Sequence, residues 1–439
     1  MKQTSTKHDV EIVLKFNMGD FMERIIGIFG IIAILAIAYI FSNNRKKINF
    51  KLIMWGISLQ IFFAILILKV PGGKLVFDLI DSFIKKILDF SVDGSKFLFG
   101  NLANENYFFT DGAAWPGFGF QFAFLVLPTV IFFSSLMSVL YHVGIMQRII
   151  KFLSRIMQKT MGTSGAETAS ISANIFVGQT EAPLVVKPFI SKMTNSELTA
   201  IMTGGFATVA GGVMAAYVLM LNNSIPGIAG HLMAASIMSA PAALVIAKII
   251  YPETSDPETS KDNVELSNVS DEANFLEAIG NGATEGMKLA INIAAMLIAF
   301  LSVIALVNWS LSLLPFGEDP LTIELLLGYL FMPLAFLMGA PWSESQILGS
   351  LMGQKLVLTE FIAYGNLAAI SDSISERTAT IGAYALCGFA NFASIGIQLG
   401  GIGAIAPDRK KDLAKTVTKA MIGGALASWL TATIAGILI

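Results

Sequence analysis

Four polar residues, Asn174, Gln179, Thr180 and Glu181, stand close together in NIFVGQTEAPLVV (174–186), flanked by a glycine and a proline, in a chain that is otherwise strongly apolar. A second carboxylate has matching surroundings: VGQTEAPLV resembles LVLTEFIAY, with Thr180-Glu181 aligned on Thr359-Glu360. Downstream of each, GFATVAG (205–211) resembles GFANFAS (388–394), 24 residues on in the first half and 28 in the second, counted from Glu181 to Gly205 and from Glu360 to Gly388. A charge held at the centre of a bilayer costs about 2.5–3.5 kcal/mol, so two glutamates at equivalent places call for a reason. One reason is that they accept hydrogen bonds from a polar solute in a central cavity; the other is that each is a solvated residue in a surface loop. The repeat favours the first. Carboxylate pairs also perform acid–base chemistry, but there is no phosphate loop and no Ser-His-Asp spacing, so no enzyme is expected.

The glycine-rich runs TGGFATVAGG and GFANFASIGIQLGGIG carry a second signal. Glycine weakens a helix interior by about 1 kcal/mol relative to alanine, and Thr208 and Asn391 fall at the centres of the runs. A helix broken there frees carbonyls and amides for ions and solutes. Sodium, a hard cation, wants oxygen ligands, by the logic that holds for calcium and magnesium; Asn174 offers an amide oxygen, Thr208 a hydroxyl, and nearby carbonyls the rest. Phe206 and Phe389 occupy equivalent repeat positions.

The elements that must position these residues are membrane helices. The chain has 439 residues, of which 54% are hydrophobic and 14% charged, with a mean hydropathy of +0.69; soluble domains average about 25% charged. Long uncharged runs near 25–41, 52–68, 118–141, 198–221, 225–247, 289–311, 379–406 and 420–439 each approach or exceed the roughly 20 residues of a spanning helix. The first does not read as a signal peptide. Segments 161–197 and 321–372 are apolar, polar, then apolar again, with VGQT and QKLVLT at their centres. That is the pattern of a re-entrant hairpin, tolerated at depth only inside protein or beside a wet cavity. Basic loops at Arg45–Lys51 positions, at 148–159 and at 409–419 are read as cytoplasmic, which places both termini outside, although the acidic loop 252–277 on the same side is an exception. On this topology the two GFA-bearing spans run in opposite directions, an inverted repeat. The expected architecture is an all-α membrane protein with about eight transmembrane helices, two opposed hairpins and broken central helices. Its parts are 1–160 (three spans and a cytoplasmic interfacial helix), 161–250 (repeat one), 251–320 (acidic loop and long sixth span) and 321–439 (repeat two).

The net charge of −2 suggests no nucleic acid partner, and the single cysteine, Cys387, excludes a disulfide framework. The three histidines, His8, His142 and His231, are scattered. Trp55, Trp115, Trp309, Trp342 and Trp429 read as interface anchors, Glu285 and Lys288 as a solvated or paired patch, and Ser373, Glu376 and Arg377 as the polar approach to the seventh span.

From about Gly117 to the C-terminus the chain resembles the concentrative nucleoside transporter family, on GQTEAPL, EFIAY and CGFANFASIG taken in that order. The resemblance implies a homotrimeric, sodium-coupled nucleoside symporter of the cell membrane, with no organic cofactor, in which a mobile transport domain moves against a scaffold. It implies that Gln179, Thr180 and Glu181 face the nucleobase, that Val213 and Phe389 supply apolar contacts, and that Glu360, Asn391 and Ser394 hold the ribose. It also implies sodium at Asn174 and Thr208 with the carbonyls of Val177 and Val209. The chain departs from the family's common residues at Thr359 (often Asn) and Ala393 (often Ser), and Thr208 replaces a common Ser while keeping the hydroxyl. Proton coupling, symport of another polar solute, or a channel are the alternatives.

Overall fold

The computed structural model describes residues 5–103, 121–260, 272–314 and 320–439. Trp115, the first residues of the expected third span and the middle of the 252–277 loop lie outside these. No strand occurs among the described residues. The helices are α1 (Ser5–Ile40), α2 (Phe50–Leu68), α3 (Pro71–Phe99), α4 (Phe122–His142), α5 (Ile145–Met161), α6 (Gly165–Asn174), α7 (Asn195–Ala207), α8 (Gly211–Leu221), α9 (Ile228–Ile250), α10 (Phe275–Ser312), α11 (Ile323–Leu337), α12 (Trp342–Val357), α13 (Glu360–Ile370), α14 (Glu376–Leu386), α15 (Phe392–Ile405) and α16 (Lys410–Leu438).

Most helices of the two repeats begin on a polar cap. Ser164 and Thr194 form capping boxes with Glu167 and Glu197 at the starts of α6 and α7, and Thr322, Thr359, Ser375 and Asn391 cap α11, α13, α14 and α15. A cap satisfies first-turn amides where lipid offers no partner. The start of α9 lacks its own side-chain cap; Asp81 of α3 accepts from the Ala229 amide at 3.1 Å instead.

Seven helices among the described residues are long and apolar enough to cross a membrane: the Met22–Ile40 part of α1, α2, α4, Asn195–Leu221 (α7 and α8), α9, α10 and Pro407–Leu438, which contains α16. The seventh expected span, 379–406, is divided between α14 and α15. Burial separates core from periphery: 89% of the apolar window of α9 and 83% of that of α16 are buried, against 17% for α10 and 22% for α1. The peripheral α10 lies close against α4, because a Cβ at Gly282 would come within 2.6 Å of the Ser135 Cα and one at Gly286 within 2.7 Å of the Ile131 Cα. This is a small-xxx-small seam.

Several expectations need correction. Residues 71–99 form a 29-residue helix that the search for uncharged runs passes over. The sixth span begins well before 289, since α10 starts at Phe275. The second arm of the first hairpin is a 3-10 segment, Ala182–Val186, and one helical turn, Lys187–Ile190; Pro183 and Pro188 remove the amides a longer α-helix needs. In the second hairpin α11 and α12 are bent by 119°, and Gln354 to Val357, expected at the tip, are still helical. Trp429 is no anchor: it is 4% exposed and meets Phe331 at 5.5 Å between ring centroids. Arg377 is paired, with Glu23 at 3.0 Å and with the Gly339 and Gly436 carbonyls.

Candidate solute-binding site

The tip of the first hairpin is fastened to the break that follows α7: the Gly211 amide donates to the Phe176 carbonyl at 2.9 Å. Tip residues Val177 to Glu181 turn on Gly178, whose carbonyl accepts from the Ala182 amide at 3.0 Å. Glu181 folds back over Gly178 and accepts from the Thr180 hydroxyl at 2.9 Å. Its residue is exposed, on the wall of a cavity.

The tip of the second hairpin is the two-residue break Leu358–Thr359 between α12 and α13. Glu360 follows it at the first position of α13 and is 3% exposed. Tyr217 of α8 donates to Glu360 Oε1 at 2.8 Å, and the Asn391 amide donates to Oε2 at 2.8 Å. Asn391 serves twice, since its Oδ1 accepts from the Ser394 amide at 2.8 Å to start α15. The two glutamates are not alike: Glu360 is buried with both oxygens held, whereas Glu181 is exposed and, among the described residues, holds only the Thr180 hydroxyl. A carboxylate offers about four lone-pair sites, so two bonds orient Glu360 and leave room for further donors.

The two helix breaks meet. Gly388, at φ +116, lies so close to α7 that a Cβ would stand 2.6 Å from the Phe206 carbonyl oxygen; the backbone conformation and the contact both require glycine. GFATVAG and GFANFAS thus touch each other. Gln398, fully buried, donates from Nε2 to Gln179 Oε1 and to the Met202 carbonyl, both at 3.0 Å, joining α15 to the first tip and to α7. Gln398 and Tyr217 escaped the sequence reading. Gln398 is the one polar side chain in GIQLGGIG, a usable signal, whereas Tyr217 in an apolar helix gives none.

These elements enclose a cavity of about 590 Å³, within the range of about 300–1,000 Å³ usual for small-molecule sites. Gln179, Thr180, Glu181, Val213, Glu360, Phe389, Asn391 and Ser394 all line it, as does Val177. The opposite wall comes from α4 and α10, including Ser138, Tyr141, Asn281, Glu285, Lys288 and Asn292, with Lys288 paired to Glu285 at 2.7 Å. Asn174, Thr208 and Val209 do not line it. They are buried behind the first tip, at 1%, 1% and 0% exposure. The Thr208 hydroxyl donates to the Gly204 carbonyl at 3.0 Å, which keeps its lone pairs available. Asn174 makes no side-chain hydrogen bond, and an orphaned buried amide oxygen beside a broken helix fits a hard cation. No group of three or more His, Cys, Asp or Glu side chains suited to a metal occurs among the described residues.

Comparison with known proteins shows what the chain is similar to. Family models described as "Na+ dependent nucleoside transporter N-terminus", "Nucleoside recognition" and "Na+ dependent nucleoside transporter C-terminus" match residues 29–102, 123–224 and 231–436. The chain is 43% identical over 415 residues to "Uncharacterized transporter YutK" of Bacillus subtilis, covering 94% of this chain and 99% of that one. It is 38% identical over 434 residues to "Sodium/nucleoside cotransporter 1" of Rattus norvegicus, covering 95% of this chain and 64% of the relative. The structure of CNTnw in an inward-facing substrate-bound state superposes with a TM-score of 0.86 at 40% identity, covering 95% of this chain and 98% of the other.

Proposed function

This chain belongs to the family of Na+ dependent nucleoside transporters, and on that premise we propose that it is a sodium-driven symporter carrying nucleosides into the cell. Gln179, Thr180 and Glu181 face the nucleobase, directly or through water. Val213 and Phe389 give it apolar contact. Glu360, Asn391 and Ser394 hold the ribose hydroxyls. Asn174 and Thr208, with the carbonyls of Val177 and Val209, take the coupling ion behind the first tip, where it orders the backbone that carries Gln179 and Glu181. The hairpins are re-entrant and, with the broken helices, move as one body against a scaffold that includes α10, in an elevator-like cycle. The protein works as a homotrimer with both termini outside.

The observation that carries this reading is the convergence of both hairpin tips and both helix breaks on one cavity, with Glu360 oriented by Tyr217 and Asn391. A ribose offers hydroxyl donors to that carboxylate, and hydrogen bonds to a charged group contribute about 1.5–3 kcal/mol each. Radiolabelled uridine uptake into proteoliposomes tests it. Uptake is expected to concentrate uridine under an inward sodium gradient, to stop when choline replaces sodium, and to be competed by other nucleosides. Glu360→Gln is expected to weaken uridine uptake by about tenfold or more. Wild-type uptake in that variant would remove the ribose role, and uptake sustained by a proton gradient alone would overturn the choice of ion.

A further inference from the structure

Lys355 lies on α12, the first arm of the second hairpin, and is fully buried. Its ammonium donates to the Ala385 carbonyl at 2.9 Å and to the Cys387 carbonyl at 3.1 Å. Those oxygens belong to the C-terminal end of α14, where the helix breaks. The last carbonyls of a helix lack intrahelical partners and carry the negative end of its dipole, so a cation is what this end attracts. Both hydrogen-bond partners are carbonyls, and neither is a carboxylate. A buried lysine at membrane depth is rare and marks function more often than packing.

Its position gains meaning from the repeat. In the first half, Asn174 on the first hairpin arm and Thr208 in the break of α7–α8 form the candidate cation set. By the same alignment Lys355 falls opposite Phe176, and the Ala385 and Cys387 carbonyls fall opposite those of Met202 and Gly204, so in the second half an ammonium bridges the first hairpin arm and the end of the helix before the break, one turn before the counterpart of Thr208. We propose that Lys355 is a tethered cation: it bridges the hairpin arm and the broken helix of the second repeat as a bound ion would bridge those of the first, locks them together in every state of the cycle, and leaves the first repeat as the half that exchanges a cation. This rests on the sodium-symport reading. Lys355 is here a positioning residue that acts through the α14 carbonyls on Asn391 and Glu360.

The test uses the purified full-length protein in proteoliposomes, with sodium, ammonium or methylammonium as the added cation. Lys355→Ala removes the ammonium and leaves its space; Lys355→Met fills the space with an apolar chain. Both variants are expected to lose uridine uptake by about tenfold or more at low sodium, the effect of losing charge-assisted bonds. Methylammonium or ammonium is expected to restore the Ala variant and not the Met variant, and the sodium dependence of the Ala variant is expected to be steeper than that of the wild type. Ammonium and methylammonium should raise the Tm of Lys355→Ala in detergent and leave the wild type unmoved, because only the variant gains an amine site. Wild-type kinetics in Lys355→Ala would overturn the proposal. So would loss of uptake that no amine restores, with no cation-dependent rise in Tm. A wild type whose uridine uptake ignores sodium would fail at the prior step, overturning the symport reading and this inference with it.

Discussion

Tyr217 shows how far a single residue can shape the site. It is fully buried on α8, with its ring 4.7 Å from that of Phe361 and 4.4 Å from that of Tyr364, so stacking fixes the ring and the ring fixes the hydroxyl on Glu360. Tyr217→Phe preserves the stack and deletes one hydrogen bond to a carboxylate. Glu360 then keeps Asn391 alone and gains rotational freedom. The expected result is a rise of about tenfold or more in half-saturating uridine together with a fall in Tm, because the lost bond to a charged group contributes about 1.5–3 kcal/mol and is made without solute. An unchanged uridine affinity would show that Tyr217 packs without orienting. Gly388→Ala would damage the site differently, by pushing apart the two breaks, and nucleoside and sodium responses should then fail together.

At the scale of elements, the base of the first hairpin is held by a buried ionic cluster. Lys248 of α9 pairs with Glu167 of α6 at 2.7 Å, with side chains 6% and 1% exposed, and donates to Ser196 at 2.9 Å. Ser164, the cap of α6, donates to Glu197, which belongs to the capping box of α7. One cluster thus ties α6, α7 and α9. Lys248→Met leaves Glu167 buried without its cation and is expected to cost about 3–5 kcal/mol. Lys192→Ala, which breaks the exposed pair with Glu258, is expected to cost about 1 kcal/mol or less. Thermal unfolding in detergent should separate the two, and equal effects would refute the anchoring role. Much of this layer was legible in the chain. Apolar runs gave the spans, and the GFATVAG and GFANFAS matches gave the breaks, because glycine and a polar centre are poor helix interior. The α3 helix was not legible by the same rule, since Lys74, Asp78, Asp81, Lys85, Asp89 and Lys96 interrupt every uncharged run; they recur at helical spacing instead. Lys355 looked like a tip residue because it is polar, yet Gln, Lys and Leu sustain helices, and the chain turns only where Thr359 can cap α13. Cross-repeat contacts such as Gln398 on Gln179 arise from the fold of distant segments and leave no local pattern.

For the whole molecule, the decisive feature is that the proposed cation set and the solute wall are adjacent but separate. Asn174 and Thr208 are buried behind the first hairpin, while Gln179, Thr180 and Glu181, on the same tip, line the cavity. In the proposed symport, ordering the tip from behind raises affinity in front, and linkage makes the effect reciprocal: the factor by which sodium tightens uridine equals the factor by which uridine tightens sodium. One sodium ion moving through 100 mV supplies about 2.3 kcal/mol, enough for roughly 50-fold accumulation at about 1.4 kcal/mol per tenfold, before any sodium gradient is added. Asn174→Ala removes the orphaned amide oxygen and leaves every cavity-lining side chain in place. Uridine binding measured across a sodium series, and sodium binding across a uridine series, should both lose the coupling factor, each falling toward one. The relative affinities for purine and pyrimidine nucleosides should hold, because no base contact has changed. If Asn174→Ala instead alters base preference while the mutual enhancement of sodium and uridine persists, then the amide belongs to the solute site, and the ion must be held elsewhere in the fold.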